Sequence, residues 1–272
     1  MALVLVAAMV STIRAKDEKL KAEQVIAKHL ESIGSPEKLK QIKTRATAGV
    51  SHVEFKVGGT ANMTGEGNIL SDGNSLRTSF KFPSAQYPGE QFAFNGTDTF
   101  VAQVTPGTRS TIGTFIYENN ELMRQGLLFG ELSTSWIFLD SSRQLKMDLS
   151  GPKKIDGKSV YELKYIPKRG GIITAYFYFD SESFRHIRSQ FKAEVAPTNL
   201  GQKITDSAET TRYTITEEFG DFKQVDDLTL PHSYRLDYSI DSARGGFVGS
   251  WQYVVNQVVH NQPIPKQVFS GN

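Results

Sequence analysis

The fold is decided by residues 156–193, DGKSVYELKYIPKRGGIITAYFYFDSESFRHIRSQFKA. β-Branched and aromatic residues are dense in this stretch, as is typical of β-strands. It is interrupted by turn residues at Asp156-Gly157, at Gly170-Gly171 and at the polar run 180–183. The pattern predicts three consecutive antiparallel strands, which form a β-meander.

The faces of the second and third strands differ in polarity. The third strand alternates, with apolar Ile187, Phe191, Ala193 and Val195 on one face and polar His186, Arg188, Gln190 and Lys192 on the face expected to meet water. The middle strand is apolar on both faces, with Ile173, Ala175, Phe177 and Phe179 on one side and Ile172, Tyr176 and Tyr178 on the other. Each of its faces therefore needs a cover, which could be a helix layer, another subunit or a bound apolar ligand.

Helices are predicted in two other regions of the chain. Apolar residues recur at helical spacing over 17–33, Gly34 is predicted as a left-handed cap, and Ser35-Pro36 starts a second short helix. A crowded apolar segment, residues 114–140, is predicted as two short helices broken at Gly126 and Gly130 and buried against the sheet. Turn residues about every ten positions elsewhere indicate about eleven strands, hence an α+β fold built on one large antiparallel sheet.

Composition excludes several classes of function. The 31 basic and 29 acidic residues are nearly balanced and form no basic stripe, so nucleic acid is not expected as a partner. The chain has no cysteine, which excludes disulfides, thiolate metal sites and a cysteine nucleophile. It also lacks the roughly 20 consecutive apolar residues that a transmembrane span requires.

The amino-terminal residues indicate export. The apolar run Ala2–Val10 is followed by a short polar segment and a charged one, which resembles the end of a secretory signal peptide with cleavage after Ala15. The basic n-region of such a signal is missing, and the alternative interpretation is a short apolar lead-in to a helix. We expect residues 1–15 to be a signal-peptide remnant, residues 16–262 to form a single domain, and residues 263–272 to be a frayed tail. The expected location is the periplasm.

No catalytic, metal or cofactor site is predicted. The five histidines share no metal-ligand spacing, and His186 is predicted to be solvated on the polar face of its strand. A GxSxG nucleophile elbow and glycine-rich phosphate loops are absent from the sequence. The paired carboxylates Glu217 and Glu218 alternate across a strand, so they do not share the one surface that acid-base catalysis requires.

An aromatic surplus remains, with 17 Phe, 10 Tyr and 2 Trp. It has two interpretations: an ordinary large core that uses all of these residues, or a sheet curved around a hydrophobic cavity with helices as a lid. The second interpretation suits a carrier of acyl chains.

Three stretches resemble a known family: KAEQVIAKHLESIGSPEKLKQIKTRATAGV, the meander from GKSVYELKYIPK to YFYFDSESFRHIRSQF, and FGDFKQVDDLTLPHSYRLDY. They are similar to the outer-membrane lipoprotein-sorting, LolA/LolB-like superfamily of exported bacterial proteins. The resemblance implies an unclosed half-barrel of about eleven strands, with helices on its concave face and a cavity for lipoprotein acyl chains. The missing cysteine fits the soluble periplasmic carrier branch. The family's arginine contact between barrel and lid has only regional candidates in this chain, Arg77 and Arg109.

The resulting functional expectation is a non-enzymatic, exported, soluble carrier of lipids or lipid-modified proteins, without a cofactor. The hydrophobic cavity is predicted to be lined by Phe80, Phe82, Phe92, Phe94, Leu122, Leu127, Leu128, Phe129, Trp136, Tyr213, Tyr234, Tyr238 and Trp251. Release of the ligand would require movement of the lid, residues 115–139. The alternative is an envelope scaffold of the same fold without a cavity, whose Tyr176 and Tyr178 face contacts a protein partner.

Overall fold

The structure is a computed structural model that describes residues 20–140, 145–167, 171–196, 210–243 and 245–271. Its α-helices are Ala22–Ile33 (α1), Pro36–Gln41 (α2), Thr111–Glu118 (α3) and Glu121–Arg124 (α4). Its strands are Thr44–Val57 (β1), Ala61–Asp72 (β2), Ser75–Lys81 (β3), Gly89–Phe94 (β4), Thr99–Val101 (β5), Asp148–Ile155 (β6), Lys158–Tyr165 (β7), Ile173–Asp180 (β8), His186–Val195 (β9), Thr211–Val225 (β10), Leu228–Asp241 (β11) and Phe247–His260 (β12). Short 3-10 turns occur at Gly130–Leu132, Ile137–Leu139 and Lys266–Phe269.

The described strands form one antiparallel sheet of twelve strands in the order β5-β4-β3-β2-β1-β12-β11-β10-β9-β8-β7-β6. Strands β1 to β5 run outward as one meander, and β6 to β12 return as a second meander that pairs with the first through β1 and β12. The sheet is open, with β5 and β6 as its edges. The predicted α+β class with an unclosed half-barrel is confirmed.

The connection from β5 to β6 covers the inner face of the sheet. Because these strands are the two opposite edges, the intervening chain has to cross the whole sheet, and its apolar residues pack on the inner face as it does so. Burial of this segment against the sheet was predicted. Its helical content is lower than predicted, since α3 and α4 end before Gly126 and the rest is irregular chain with two 3-10 turns. Gly126 has φ +64°, and a Cβ there would lie 1.9 Å from the carbonyl oxygen of Ser135, so a glycine is required.

The meander is confirmed, with one correction to its third strand. Ile173, Ala175, Phe177 and Phe179 of β8 are buried on the inner face. His186, predicted to be solvated, is also buried there at 0% exposure. Tyr178 pairs with Arg188 while Phe179 pairs with His186, so a β-bulge shifts the register by one residue and turns His186 inward. The predicted turn residues 168–170 lie outside the described ranges.

The two amino-terminal helices pack over one end of the sheet. Ser35 caps α2 as predicted, accepting a hydrogen bond from the Lys38 amide at 3.2 Å. Gly34 is not a left-handed cap, because its φ is 170°, which is extended backbone. Its glycine is needed for close approach instead: a Cβ there would lie 2.5 Å from Cδ2 of buried Leu228 on β11. Residues 1–15, expected to be a signal remnant, and residues 16–19 lie outside the described ranges.

The carboxyl-terminal segment, which is described as far as residue 271, packs against the sheet. Lys266–Phe269 forms a 3-10 turn, and Phe269 is 2% exposed. The Arg77 side chain donates a hydrogen bond to the carbonyl of Val268 at 3.2 Å, which holds this turn against β3. The buried Phe269 ring and the hydrogen bond from half-buried Arg77 thus attach this segment to the sheet.

Candidate functional site

An apolar pocket of about 540 Å³ lies between the amino-terminal helices and the chain that crosses the sheet. Its volume falls within the roughly 300–1,000 Å³ of small-molecule sites. Four of its large apolar side chains remain half-exposed: Leu30, Leu39, Ile42 and Leu139. The full lining is Ala27, Leu30, Glu31, Gly34, Pro36, Leu39, Lys40, Ile42, Lys43, Arg45, Asp72, Gly73, Thr134, Phe138 and Leu139.

One wall of the pocket belongs to residues 126–139, which we call the strap. The strap has little regular structure, and its backbone includes left-handed residues at Gly126, Phe129 and Gly130. Side chains from the sheet bind several of its backbone groups. The amide of Thr134 donates to the Ser71 hydroxyl at 2.9 Å, and the Thr134 hydroxyl donates to the carbonyl of Gly73 at 3.1 Å. The strap is thus held by specific polar contacts as well as by apolar packing.

Arg45 of β1 provides a further contact of this kind. Its Nη1 donates to the backbone carbonyl of Glu131 in the strap, and its Nε donates to Nε2 of His260 at 2.9 Å. Arg45 is 2% exposed and also lines the pocket. Burial lowers its pKa to about 10, so the guanidinium stays charged at neutral pH. Arg45 was not among the arginines that the sequence suggested for a contact between the barrel and the lid.

The two arginines suggested by region have other roles. Arg77 donates to the carbonyl of Val268 and, at 2.8 Å, to the side chain of Gln91, so it holds the carboxyl-terminal turn. The Arg109 guanidinium lies 3.8 Å from the centroid of the Tyr117 ring. Neither side chain has a described hydrogen bond to the strap.

A second set of strap contacts centres on the buried Glu131 carboxylate. Its Oε1 lies 3.5 Å from Nε2 of His29 on α1, and its Oε2 lies 3.4 Å from Nδ1 of His186 on β9. Nδ1 of His29 is 2.9 Å from the carbonyl of Phe184, so this nitrogen carries a proton and donates it there. In neutral His29, Nε2 therefore presents a lone pair to the carboxylate. A hydrogen bond between His29 Nε2 and Glu131 Oε1 therefore forms only when one of these two groups binds a further proton.

Burial and neighbouring charges set the protonation of this cluster. Burial lowers the pKa of His29 to about 4, against the opposing effect of Glu131. The pKa of Glu131 lies below its usual value because the adjacent histidines outweigh the cost of burial. At neutral pH, Glu131 is therefore ionised and His29 is neutral.

Glu217 of β10 anchors the strap one residue before Gly130. Its Oε1 accepts hydrogen bonds from the amide of Phe129 and from the hydroxyl of Tyr234, both at 2.7 Å. Burial raises the pKa of this carboxyl to about 7. As predicted, its neighbour Glu218 faces the other way, where it pairs with Arg188.

Ser189, His186 and Glu131 are spaced like a catalytic triad, since the Ser189 hydroxyl lies 3.0 Å from Nε2 of His186. All three residues are at most 1% exposed, so no substrate reaches the serine in this conformation. Ser189 also lies in the middle of β9 and not on the strained turn that projects a nucleophile. The arrangement is a buried hydrogen-bond chain that supports the strap. Across the described ranges, no three histidine or acidic side chains are grouped so that they could hold a metal ion.

The thirteen side chains predicted to line a cavity are brought together in the core. Twelve are at most 6% exposed, and Tyr213 is half-buried. Rings of the crossing chain contact rings of the strands directly, with Phe115 5.3 Å from Tyr213 and Phe129 5.7 Å from Tyr234. None of the thirteen lines the pocket beside α1 and α2. Their role in ligand binding stays a prediction.

The outer face of β8 is partly covered by polar neighbours. Tyr178 is 6% exposed and lies opposite Glu162 in the sheet, while the Lys192 amine is 5.4 Å from the ring of half-buried Tyr176. Long charged side chains can shield an aromatic face in this way. The outer tyrosines thus have intramolecular contacts, and a protein partner on this face stays a prediction.

Three side chains of the strap cluster, those of His29, Glu131 and His186, were not predicted from the sequence to be buried together. His29 lies four residues after Val25 and four before Ile33, both buried on α1, so helical spacing alone places it on the buried face. Glu131 is one of few charges in an apolar segment, which is also a readable signal. The inward position of His186 follows from a bulge that the sequence did not reveal.

These features define a class of protein: an open antiparallel half-barrel with its inner face covered by a crossing chain and an apolar pocket at one end. The chain is similar to a domain from Vibrio parahaemolyticus described as an outer membrane lipoprotein-sorting protein domain, with 12% identity, a TM-score of 0.49, and coverage of 92% of this chain and 97% of that one. It is similar to a LolA superfamily protein from Nitrosomonas europaea with 15% identity, a TM-score of 0.47 and the same coverage. Its likeness to the Pseudomonas aeruginosa MucA/MucB complex has 9% identity and a TM-score of 0.22, over 88% of this chain and 99% of that one. No family model and no curated protein matches the chain.

Across the described residues, no helix combines the length and the apolar character needed to cross a membrane.

Proposed function

We propose that the chain is an exported binding protein that carries acyl chains of lipids or of lipid-modified proteins. The observation that carries this proposal is the pocket of about 540 Å³ with half-exposed Leu30, Leu39 and Leu139 in its walls. An apolar chain that entered would cover these side chains and gain about 0.8 kcal/mol per buried methylene. Binding by this mechanism requires no cofactor and no catalytic step.

The charged residues of the pocket support an amphiphilic ligand. Lys40 and Lys43 are exposed beside the apolar walls, together with Glu31 and half-buried Asp72. An acyl chain would lie among the leucines while its polar head stays with these side chains and water. The sequence resemblance to lipoprotein-sorting proteins favours the same class of ligand.

The test is to fill the pocket from an exposed position. Ala27 lines the pocket but is exposed on α1, so Ala27→Trp would occupy the site without disturbing the core. We expect the affinity for cis-parinaric acid, a fluorescent fatty acid, to fall at least tenfold in this variant. Lys28→Trp, at the next exposed position of the same helix, is the matched control and should bind as the wild type does. Equal binding by all three proteins would refute the assignment of the pocket.

Export is the second part of the proposal, and it rests on the apolar run Ala2–Val10 followed by Ala15. Fractionation of the native cells, with mass spectrometry of the mature amino terminus, tests it. Recovery of the full chain in the cytoplasm would refute export and leave the binding proposal standing.

A further inference from the structure

His260, at the end of β12, lies between a surface turn and the arginine that holds the strap. Its Nδ1 is 2.8 Å from Oδ2 of Asp226, and its Nε2 is 2.9 Å from Nε of Arg45. The His260 side chain is 3% exposed, while that of Asp226 is 56% exposed. A continuous hydrogen-bonded chain therefore runs from solvent at Asp226 through His260 and Arg45 to the carbonyl of Glu131.

The donors in this chain require a neutral His260. Arginine has only donors, so Nε2 of His260 has to offer its lone pair to Arg45. Nδ1 then carries the single ring proton and donates it to the Asp226 carboxylate. A second proton on Nε2 would face the Arg45 N–H group, which would replace a hydrogen bond by contact between two cations.

We propose that His260 is a positioning residue that orients Arg45 toward the strap while it is neutral and releases Arg45 when it is protonated. Mild acid would therefore loosen the strap at Glu131, from where the chain continues into the pocket wall at Thr134 and Leu139. The effect on ligand binding rests on the proposed function, whereas the effect on the strap does not.

The charges that face His260 are Arg45 from β1, Asp226 from the turn between β10 and β11, and Lys38 from α2. Burial lowers the pKa of His260, as do Arg45 and Lys38, and Asp226 acts in the opposite direction. The imidazolium is therefore more stable once the Arg45 contact has opened to water, so acid favours opening.

The other titrating groups under the strap do not all act in this direction. Acid also favours opening through His29 and Glu131, whose pKa values lie below their usual range in the closed form. Glu217 opposes them, because its raised pKa means that the closed form binds its proton more readily. The contribution of His260 has to be measured as a difference between variants.

Hydrogen exchange of the strap amides in 131–139 provides that difference. The wild-type protein and His260→Gln are compared at pH 7 and pH 5 as protection factors, which removes the intrinsic pH dependence of exchange. Glutamine can accept from Arg45 and donate to Asp226 without titrating. If His260 is neutral when closed and titrates near 6.5 when open, wild-type protection falls by up to about 25-fold more than that of the variant. His52→Gln, on the outer face of β1, is the control and should follow the wild type.

Equal pH dependence in the wild type and His260→Gln would overturn the proposal. If His260→Gln does not fold, the ring of the wild-type residue is read directly by nitrogen-15 correlation spectroscopy. We expect the Nδ1–H tautomer at pH 7, and a proton on Nε2 would equally overturn the proposal. Strap loosening without altered uptake of cis-parinaric acid would contradict the proposed ligand site and leave the role of His260 intact.

Discussion

Replacing Glu217 by glutamine should make the protein more stable at pH 8 and should remove part of its pH dependence. The Glu217 carboxyl is fully buried, and its Oε1 accepts from the Phe129 amide and the Tyr234 hydroxyl. A glutamine oxygen can accept both hydrogen bonds, and its amino group can donate to the nearby Ser189 hydroxyl. Glu217→Gln therefore keeps the anchor of the strap and removes only the titration.

The magnitude follows from the pKa of Glu217, which burial raises from 4.5 to about 7. Because the folded state holds this proton more tightly than the unfolded state, its stabilising effect is complete below pH 4.5 and is lost as the pH rises through 7. A difference of about 2.5 pH units corresponds to roughly 3 kcal/mol of unfolding free energy lost between pH 4 and pH 8. Glu217→Gln should lack this loss.

Urea unfolding at pH 5, 6, 7 and 8, followed by the fluorescence of buried Trp136 and Trp251, measures the effect. The difference in unfolding free energy between Glu217→Gln and the wild type should grow with pH and level off above pH 7. Glu218→Gln removes the same charge from the outer face and is the matched control for the loss of one carboxylate from β10. A difference between Glu217→Gln and the wild type that is the same at all four pH values would refute a buried, titrating Glu217.

Two further substitutions test the strap cluster and the helix packing. Burial lowers the pKa of His29 from 6.5 to about 4, so its contribution to stability is complete above pH 6.5 and is lost as the pH falls through 4. His29→Asn can still donate to the Phe184 carbonyl and should lack this loss, which for the wild type amounts to roughly 3 kcal/mol of unfolding free energy when the urea assay is extended to pH 4. If the unfolding free energy of His29→Asn fell at acid pH as much as that of the wild type, a buried neutral His29 would be contradicted. Gly34→Ala should lower the free energy of unfolding by about 1–3 kcal/mol, because its Cβ would lie 2.5 Å from Leu228 Cδ2. Gly151→Ala on β6 is the control: nothing lies within 4 Å of its Cβ, so the free energy of unfolding should fall by less than about 1 kcal/mol. Equal costs would show that close packing is not the reason for the glycine at position 34.

The fold could be predicted because its determinants are local. The strands of the meander follow from dense β-branched and aromatic residues between turn residues, and the start of α2 follows from Ser35 and Pro36, each within a few residues of the structure they specify. The open sheet was predicted from turn spacing and from the resemblance of three stretches to a known family. These signals depend on neighbours in sequence and survive errors elsewhere in the chain.

The polar cluster beneath the strap could not be predicted in the same way. It joins His29, Arg45, Glu131, Glu217 and His260, which come from five separate elements. Their proximity follows from the strand order, in which β1 pairs with β12 and the crossing chain lies over both meanders. His186 adds a second difficulty, because one bulged residue reverses the face on which every preceding side chain lies.

The size of the cavity depends on side-chain volumes, which cannot be predicted from the alternation of apolar and polar residues along the strands. Seven apolar side chains of the strap are at most 3% exposed: Leu127, Leu128, Phe129, Leu132, Trp136, Ile137 and Phe138. Exposing all of them would cost roughly 10–20 kcal/mol, as much as the roughly 5–15 kcal/mol that stabilises a whole domain. An empty half-barrel with the strap lifted away is therefore not an accessible state. An acyl chain that reached Phe129 or Trp136 would have to replace each strap contact as it broke, starting from the pocket, where Leu139 is already half-exposed. Loosening the Arg45 contact at Glu131 costs far less than lifting the strap, so this contact is the place where a small change in protonation can act on the pocket wall.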